Sequence, residues 1–239
     1  MSPTVIHAIW DAIAWASAAA IAFWIGRWRP LAFPVAAPLR RDYMAAAILG
    51  SATGAYLFGT LNLWASGIAE FGRSIEGAIF GAILAVEMFK QSAGIDAATG
   101  ARFAAPLAIG VAVGRLGCFF AGLEDFTYGV PTDLPWGVDF GDGVSRHPVQ
   151  LYESASMAGF LIVYLVALAR RSEFIARNGF YLAVGFYGAQ RFVWEFLKPY
   201  GTVLGPLTLF HLLSLALAAY ALCMMQANAT SPGKHELAA

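Results

Sequence analysis

Seven stretches of mostly apolar residues alternate with short polar connections along the 239-residue chain. A helix needs roughly 20 predominantly apolar residues to cross the hydrocarbon core of a bilayer. The pattern therefore predicts seven spanning helices, at about 4–26, 43–64, 74–90, 101–122, 148–169, 179–197 and 205–225. The expected fold is an all-α integral membrane protein. It is a seven-transmembrane-helix bundle in which residues 1–239 form a single transmembrane domain.

The longest polar connection, at about 123–147, is rich in glycine, proline and aromatic residues. We expect it to form an ordered loop or small head on the membrane surface. The tail, at about 226–239, is polar and is expected to be frayed. Hydrophobic residues make up 59% of the chain, against roughly 45–50% in soluble domains. The net charge is zero, which gives no indication of nucleic-acid binding.

Basic residues concentrate in alternate connections. They are Arg27, Arg29, Arg40, Arg41, Lys90, Arg102, Arg170, Arg171 and Arg177. Because connections rich in lysine and arginine stay in the cytoplasm, the N-terminus is expected outside and the C-terminus inside. The loop at about 123–147 then lies on the periplasmic side.

A few charged residues fall inside the predicted spans, where they are costly and tend to pair, line a polar cavity or mark a functional site. Arg115 in the fourth span and Arg191 in the sixth lie nearer the outer leaflet. Two guanidinium groups at that depth suit a bidentate clamp on a phosphate group. The residues alone are equally compatible with structural pairing, of Arg115 with Glu76 or Glu153 and of Arg191 with Glu195.

Four further polar side chains occur at or near the spans, and two of them, Tyr187 and His147, have two interpretations each. Tyr187 precedes Arg191 by four residues and shares its helix face, either as an interface anchor or as a headgroup ligand. His147 lies where the loop returns to the membrane, as a loop residue with a satisfied hydrogen bond or as a proton-transfer group. His7 and Asp11 share a face of the first helix, and we expect them to pair with each other.

Cys118 and Cys223 lie far apart in apolar segments, so neither a disulfide framework nor a metal cluster is expected. Glycines recur in the second, third and fourth spans and are expected to let helices pack closely; those before Arg115 also leave room for a lipid headgroup. They are Gly54, Gly59, Gly77, Gly81, Gly110, Gly114, Gly117 and Gly122.

Four motifs occur in a fixed order: GRLGCFFAG, YGVPTDLPWGV, RHPVQLYES and GFYGAQRFVWEFLKP. In order and spacing they resemble the bacterial prolipoprotein diacylglyceryl transferases. GRSIEGAIFGA is similar to the glycine-rich motif in the third helix of that family. The resemblance covers about 70–200, and the rest of the chain agrees in hydropathy and number of spans.

The resemblance implies a seven-helix enzyme of the bacterial inner membrane, with its active site facing the outer leaflet and the periplasm. Such an enzyme takes the diacylglyceryl group from phosphatidylglycerol and attaches it to the lipobox cysteine of a prolipoprotein, releasing glycerol phosphate. The expected partners are phosphatidylglycerol and the signal-peptide and lipobox region of the prolipoprotein. The scheme requires no cofactor and no metal.

The family motifs also imply the site residues. Arg115 matches the arginine of the family signature, and Tyr187 and Arg191 match its tyrosine–arginine pair. A thiol must be deprotonated before it reacts, so a base is needed, and Glu76 or His147 is the candidate. The residues expected to bind substrate are Gly114, Cys118, Arg146, Gln150, Tyr152 and Glu153.

The chain departs from the family pattern at two of these positions. Cys118 stands where the signature has asparagine, and Glu76 stands where many members carry histidine. The acceptor is therefore open. The alternatives are a paralogue that uses the same phospholipid with a different acceptor, and a non-catalytic lipid-binding membrane partner.

Overall fold

Seven α-helices form the framework of the computed structural model, which describes residues 2–230. They are α1 (Pro3–Trp28), α2 (Arg40–Ala65), α3 (Ile75–Ser92), α4 (Ala104–Ala121), α5 (Val149–Ala169), α6 (Glu173–Glu195) and α7 (Leu209–Thr230). Strands β1 (Val138–Asp139) and β2 (Ser145–Arg146) pair in one connection, and β3 (Thr202–Leu204) and β4 (Leu207–Thr208) pair in another. The all-helical prediction is confirmed, and each predicted span overlaps one helix.

Five segments of the described chain are long and apolar enough to cross a membrane. They are Thr4–Trp28, Ala37–Ala65, Ala101–Asp125, Val149–Ala169 and Leu209–Thr230. Helices α3 and α6 are not among them, because charged and amide side chains lower their hydropathy. Large apolar side chains cover the outer faces of the bundle, with Trp15 77% and Phe23 68% exposed. Soluble proteins rarely expose apolar surface on this scale, so the chain is a helical membrane protein.

Close packing of α2 against α3 depends on glycine. A Cβ added at Gly54 would lie 2.2 Å from the carbonyl oxygen of Gly77, and one added at Gly81 would lie 2.2 Å from that of Gly50. The two backbones therefore touch, as the glycine pattern predicts. Close packing is not seen at Gly110, Gly114 or Gly122, since a Cβ at any of these positions would meet nothing within 4 Å. Gly110 and Gly114 precede Arg115, where the alternative expectation was room for a lipid headgroup.

The helices alternate in direction, which brings functional segments to one end of the bundle. This end, here named the loop end, holds the C-terminal ends of α2, α4 and α6 and the N-terminal ends of α1, α3, α5 and α7. Contacts across the connections define it, such as the hydrogen bond from Gly201 N to Ser66 Oγ (2.9 Å). The opposite end is tied by the ion pair between Arg29 and Glu173 (3.2 Å).

The long connection between α4 and α5 contains a 3-10 turn and a short β-hairpin. It begins with a 3-10 turn at Gly122–Asp125, followed by Phe126 in the left-handed region at φ 51°. The β1–β2 hairpin comes next, and Val130 N donates to Leu197 O at 2.7 Å, which fastens the loop to the end of α6. At the C-terminal end of the chain, α7 is helical to Thr230. The first residues of the tail that was expected to be frayed are therefore helical, and residues 231–239 lie outside the described residues.

Candidate active site

Six charged side chains meet inside the loop end of the bundle and are 0–8% exposed. This buried charge cluster consists of Glu76, Arg115, Glu153, Arg191, Glu195 and Lys198. Three members are acidic and three are basic, so the formal charges cancel. Buried charges persist where they are paired in this way.

Glu153 is the centre of the cluster. It lies in the first turns of α5, and its Oε2 is 2.5 Å from Arg115 Nε. Its Oε1 accepts from Arg191 Nη1 and lies 3.1 Å from Lys198 Nζ. One carboxylate thus holds α4, α6 and the segment after α6 in fixed positions, which confirms the expected pairing of Arg115 with Glu153.

Arg191 is surrounded by carboxylates. Its Nε donates to Glu76 Oε2 at 3.1 Å, its Nη2 lies 2.7 Å from Glu195 Oε2, and its Nη1 donates to Glu153. The guanidinium group also lies over the Phe210 ring, 5.1 Å from the ring centroid. The expected pairing with Glu195 is confirmed. Because each nitrogen already faces a carboxylate, a phosphate group would have to displace one of them to bind here.

Arg115 differs from Arg191 in having donors left over. Its Nη1 donates to Cys118 Sγ at 3.8 Å, and within residues 2–230 neither Nη1 nor Nη2 donates a hydrogen bond to a carboxylate. Gly114 precedes it in the chain and Gly110 lies one turn earlier, and both face open space. Arg115 is therefore a cluster cation with donors available for an anionic ligand.

Several buried polar atoms near the cluster lack a hydrogen-bond partner within the described part of the chain. They are Tyr187 Oη, Gln190 Oε1 and Nε2, Gln150 Oε1 and His211 Nε2. Native proteins satisfy most buried polar groups with protein or water, so each exception calls for an explanation. Tyr187 is one turn from Arg191 on α6 and fully buried, which makes its phenol a candidate ligand for a bound headgroup.

Glu76 enters the cluster from the start of α3. Ser74 caps that helix by accepting from Gly77 N at 3.2 Å, which fixes the turn that carries Glu76. The carboxylate accepts from Ser214 Oγ at 2.6 Å through Oε1 and from Arg191 through Oε2. Both oxygens are occupied by donors in this arrangement.

Sequence reasoning missed the polar groups that α7 and the residue before it contribute. Besides Ser214 on α7, Thr208 at the end of β4 donates from Oγ1 to Glu195 Oε1 at 2.7 Å and lies 3.1 Å from His211 Nδ1. The available signal was the spacing of Thr208, His211 and Ser214 at intervals of three residues, which places them on one side at the start of a mostly apolar segment.

A second set of predicted site residues lies at the end of the loop and the start of α5, and within residues 2–230 it makes no hydrogen bond or ion pair with the cluster. This loop group consists of Arg146, His147 and Tyr152. Tyr152 Oη accepts from Trp136 Nε1 at 2.8 Å and lies 3.3 Å from His147 Nδ1. Arg146 forms a bidentate ion pair with Asp142 at 2.7 Å, which lowers the pKa of the Asp142 carboxyl and raises that of Arg146.

The expected pairing of His7 with Asp11 is wrong. His7 Nε2 lies 2.6 Å from Asp125 Oδ1, and Asp11 lies 3.8 Å from Arg73. The cause is the packing of α4 and the turn after it against this face of α1. The ligand-type atoms of His7, Cys118 and Asp125 all lie within 4.8 Å of one another. The spacing of the two cysteines in the sequence does not indicate this group.

Comparison with known proteins identifies the family that the chain resembles. The sequence profile of the prolipoprotein diacylglyceryl transferases matches residues 3–227. The phosphatidylglycerol–prolipoprotein diacylglyceryl transferase of Geobacter sulfurreducens is 37% identical over 180 residues, which cover 70% of this chain and 68% of that protein. The enzyme of the same name from Bordetella parapertussis is 35% identical over 140 residues, 57% of this chain and 52% of that protein.

The aligned segment thus covers about two thirds of one relative and about half of the other. No solved structure matches the chain. The profile spans nearly all of the described residues and includes every member of the buried charge cluster. The chain belongs to the prolipoprotein diacylglyceryl transferase family.

Proposed function

We propose that this protein transfers a diacylglyceryl group from phosphatidylglycerol to the lipobox cysteine thiol of a prolipoprotein. The observation that carries the proposal is Arg115: a buried arginine, held by Glu153, whose two Nη groups donate no hydrogen bond to a carboxylate within residues 2–230, and which follows a glycine that faces open space. Family membership supplies the reaction class, since the relatives are named for this transfer. The geometry of the cluster supplies roles for individual residues.

The donor's phosphodiester brings one negative charge to a cluster whose own charges cancel. Arg115 Nη1 and Nη2 donate no hydrogen bond to a carboxylate within residues 2–230, so they make the first contact with the phosphate oxygens. A guanidinium group suits this contact because its N–H groups match the oxygens bidentately. The unpartnered Tyr187 phenol completes the headgroup site.

In the reaction the thiolate sulfur attacks the glyceryl carbon that bears the phosphate ester. The carbon–oxygen bond breaks, and its electron pair leaves on the phosphate of glycerol phosphate. Negative charge therefore develops at the phosphate, where a preorganised guanidinium group in a water-poor site stabilises it most. Arg115 performs this stabilisation, and Arg191 supports it by holding the shared partner Glu153 in place.

The acceptor thiol needs a base, for which Glu76 and His147 remain the candidates. Glu76 lies within the cluster, but Arg191 and Ser214 occupy its two oxygens. His147 lies in the loop group and contacts Tyr152 instead of the cluster. Glu76 acts as the base only if a donor moves away, and His147 only if the loop shifts toward Arg115 when substrate binds.

We also propose that the protein lies in the bacterial inner membrane with the loop end facing the periplasm. Support comes from the opposite end, which carries Arg27, Arg40, Arg102, Arg170 and Arg177 among its basic residues. Positive charge near the ends of spans favours the cytoplasmic side. All seven helices, including α3 and α6, cross the membrane in this arrangement.

Turnover by purified protein tests the function. The protein in detergent with phosphatidylglycerol and a lipobox peptide is expected to release glycerol phosphate and to form a lipid-modified peptide. Arg115→Ala is expected to abolish release. Arg29→Ala is the matched control, because it removes an arginine from an exposed ion pair at the opposite end. Full activity in Arg115→Ala, or equal losses in both variants, contradicts the role given to Arg115.

A second candidate is transfer of the same group to a different acceptor. The observation that favours it is Cys118, which replaces the asparagine of the family signature and lies 3.8 Å from Arg115 Nη1. Isotopically labelled phosphatidylglycerol separates the possibilities, since the label ends in the lipobox peptide or in another molecule. Stoichiometric lipid binding without any labelled product identifies a non-catalytic lipid-binding protein.

A further inference from the structure

We infer that His7, Cys118 and Asp125 form a binding site for a zinc-like divalent metal ion. Three elements supply the ligands: α1 supplies His7, α4 supplies Cys118 and the 3-10 turn at Gly122–Asp125 supplies Asp125. Their candidate ligand atoms lie within 4.8 Å of one another. An imidazole nitrogen, a thiol sulfur and a carboxylate oxygen are the ligand types that Zn²⁺ prefers in proteins.

The local structure explains why these residues meet. Gly117 lets α4 approach α1 closely, since a Cβ there would lie 2.6 Å from Trp10 Cβ. Cys118 is the next residue and lies beside His7. The left-handed conformation of Phe126 ends the 3-10 turn just after Asp125, and contacts of its ring with Tyr128 and Tyr200 hold that conformation in place.

The distances suit a tetrahedral ion after a small adjustment. Ligands at about 2.0–2.3 Å from zinc stand roughly 3.3–3.7 Å apart in tetrahedral geometry. His7 Nε2 and Asp125 Oδ1 are 2.6 Å apart, so they need to separate by about 1 Å or less, which side-chain rotation provides. His7 and Asp125 side chains are 20% and 14% exposed, so an ion reaches them from the loop end.

A second layer of hydrogen bonds orients the carboxylate. Thr127 Oγ1 donates to Asp125 Oδ2 at 2.5 Å, and Gln150 Nε2 in turn lies 3.4 Å from Thr127 Oγ1. Asp125 Oδ1 is thereby directed toward His7. Such outer partners commonly support metal ligands and affect metal affinity about 10–100-fold.

The charges are also compatible with a divalent cation. A thiolate and a carboxylate together neutralise the two positive charges of the ion. Arg115 Nη1 lies 3.8 Å from Cys118 Sγ, and the charge of Arg115 is compensated by Glu153 Oε2, 2.5 Å from its Nε.

Three protein ligands leave a fourth position for another molecule, the arrangement typical of catalytic rather than structural zinc. Resting on the proposed function, we assign this position to the acceptor thiol. An ion held by His7, Cys118 and Asp125 would favour the thiolate form of an acceptor thiol, and the proton of that thiol would pass to solvent. The sulfur would then be a nucleophile next to Arg115 and would need neither Glu76 nor His147 as a base. The sulfur–carbon bond forms as the carbon–oxygen bond to phosphate breaks.

Binding of Co²⁺ to the metal-free protein, without lipid or peptide, tests the site itself. Cobalt bound to a thiolate gives a charge-transfer absorption, and we expect one equivalent to produce it and Zn²⁺ to displace it. Cys118→Ser and His7→Ala are expected to lose the band, and Cys223→Ser is the matched control because its exposed thiol lies on α7. Absence of the band in wild type, or its survival in Cys118→Ser, overturns the site.

A conservative substitution at Thr127 tests the site in a variant that is expected to fold normally. Thr127→Val removes the hydroxyl that orients Asp125 and keeps the size of the side chain, and we expect it to weaken Co²⁺ binding at least about tenfold. Thr127→Ser restores the hydroxyl and is expected to restore affinity. Equal affinities in wild type and both variants contradict the proposed support of Asp125.

Turnover measurements then distinguish two claims: that the metal ion activates the acceptor thiol, and that the protein has the proposed transferase activity. Glycerol phosphate release is compared in the zinc-loaded and metal-free proteins, and we expect at least a tenfold loss on metal removal. Equal release in both forms overturns the role in thiol activation. If neither form releases glycerol phosphate while Co²⁺ still binds, the proposed function fails and the metal site stands.

Discussion

Two arginine–carboxylate pairs with the same spacing lie in different surroundings in this molecule. Arg191 pairs with Glu195 and Arg146 pairs with Asp142, each four residues apart and each with a shortest contact of 2.7 Å. The first pair is 2% and 0% exposed inside the bundle, and the second is 13% and 34% exposed in the loop. Equal spacing in the sequence therefore gives a buried network in one region and a surface contact in the other.

The difference matters because water decides what an ion pair contributes. An exposed pair is screened and contributes little to stability. In a buried pair the loss of one partner leaves an uncompensated charge, which costs about 3–5 kcal/mol. The buried charge cluster is thus expected to be sensitive to single substitutions, while the loop pair is expected to tolerate them.

Glu153→Ala is expected to have the largest effect. It removes the carboxylate that Arg115, Arg191 and Lys198 share, and the free energy of unfolding is expected to fall by about 3–5 kcal/mol. Denaturant unfolding in detergent measures the change. Glu173→Ala is the matched control, because Glu173 is 81% exposed in an ion pair at the opposite end. A Glu153→Ala protein as stable as the Glu173→Ala protein shows that the cluster does not hold the bundle together.

Arg115→Lys is expected to keep the fold and lose turnover. Lysine retains the charge beside Glu153 but lacks the paired N–H groups that match phosphate oxygens. Loss of one preorganised donor at a developing negative charge lowers kcat about 100-fold. Rates of glycerol phosphate release, with unfolding curves measured in parallel, test this expectation. A rate close to that of wild type indicates that only the charge of Arg115 matters.

Gly114→Leu is expected to act on donor binding. Its side chain enters the open space beside α4, so the KM for phosphatidylglycerol is expected to rise about tenfold, equivalent to about 1.4 kcal/mol. Stability is expected to change little, since nothing lies within 4 Å of a Cβ at this position. Gly159→Leu on α5 is the control, because that glycine also faces open space. Equal KM values for phosphatidylglycerol in the two variants contradict binding of the lipid donor beside Gly114.

Asp142→Asn is expected to have the smallest effect. The folded pKa of Asp142 is lowered by Arg146, so the pair contributes stability above the ordinary pKa of an aspartate and loses it as the pH falls through the lowered value. Melting temperatures of wild type and variant are expected to differ slightly at neutral pH and to converge in acid. A difference that grows as the pH falls contradicts this linkage.

The sequence predicted the helices well because span length and apolar composition are local properties. It predicted that Arg115 and Arg191 are paired or functional, and the structure shows pairing for both. It named Glu153 as a possible partner of Arg115 but not of Arg191, because the 38 residues between Glu153 and Arg191 give no local signal that the two side chains meet. Nor could it distinguish the surroundings of Gly54 and Gly114. Gly54 is packed against the backbone of α3, whereas Gly114 faces open space.

The grouping of His7, Cys118 and Asp125 was missed for a similar reason. His7 has a carboxylate one turn away on its own helix, which made Asp11 the obvious partner. The structure instead brings a residue from the turn after α4 to 2.6 Å. Local spacing identifies possible neighbours within a helix, and the packing between helices decides which contact forms.

The central claim is that Arg115 binds the phosphate of the lipid donor inside the buried charge cluster. Equilibrium binding of phosphatidylglycerol and of diacylglycerol, which lacks the phosphate, tests it most directly in wild type and Arg115→Ala. We expect the substitution to raise the Kd for phosphatidylglycerol about tenfold or more, the value of one charge-assisted hydrogen bond, and to leave the Kd for diacylglycerol unchanged. An unchanged Kd for phosphatidylglycerol would contradict it.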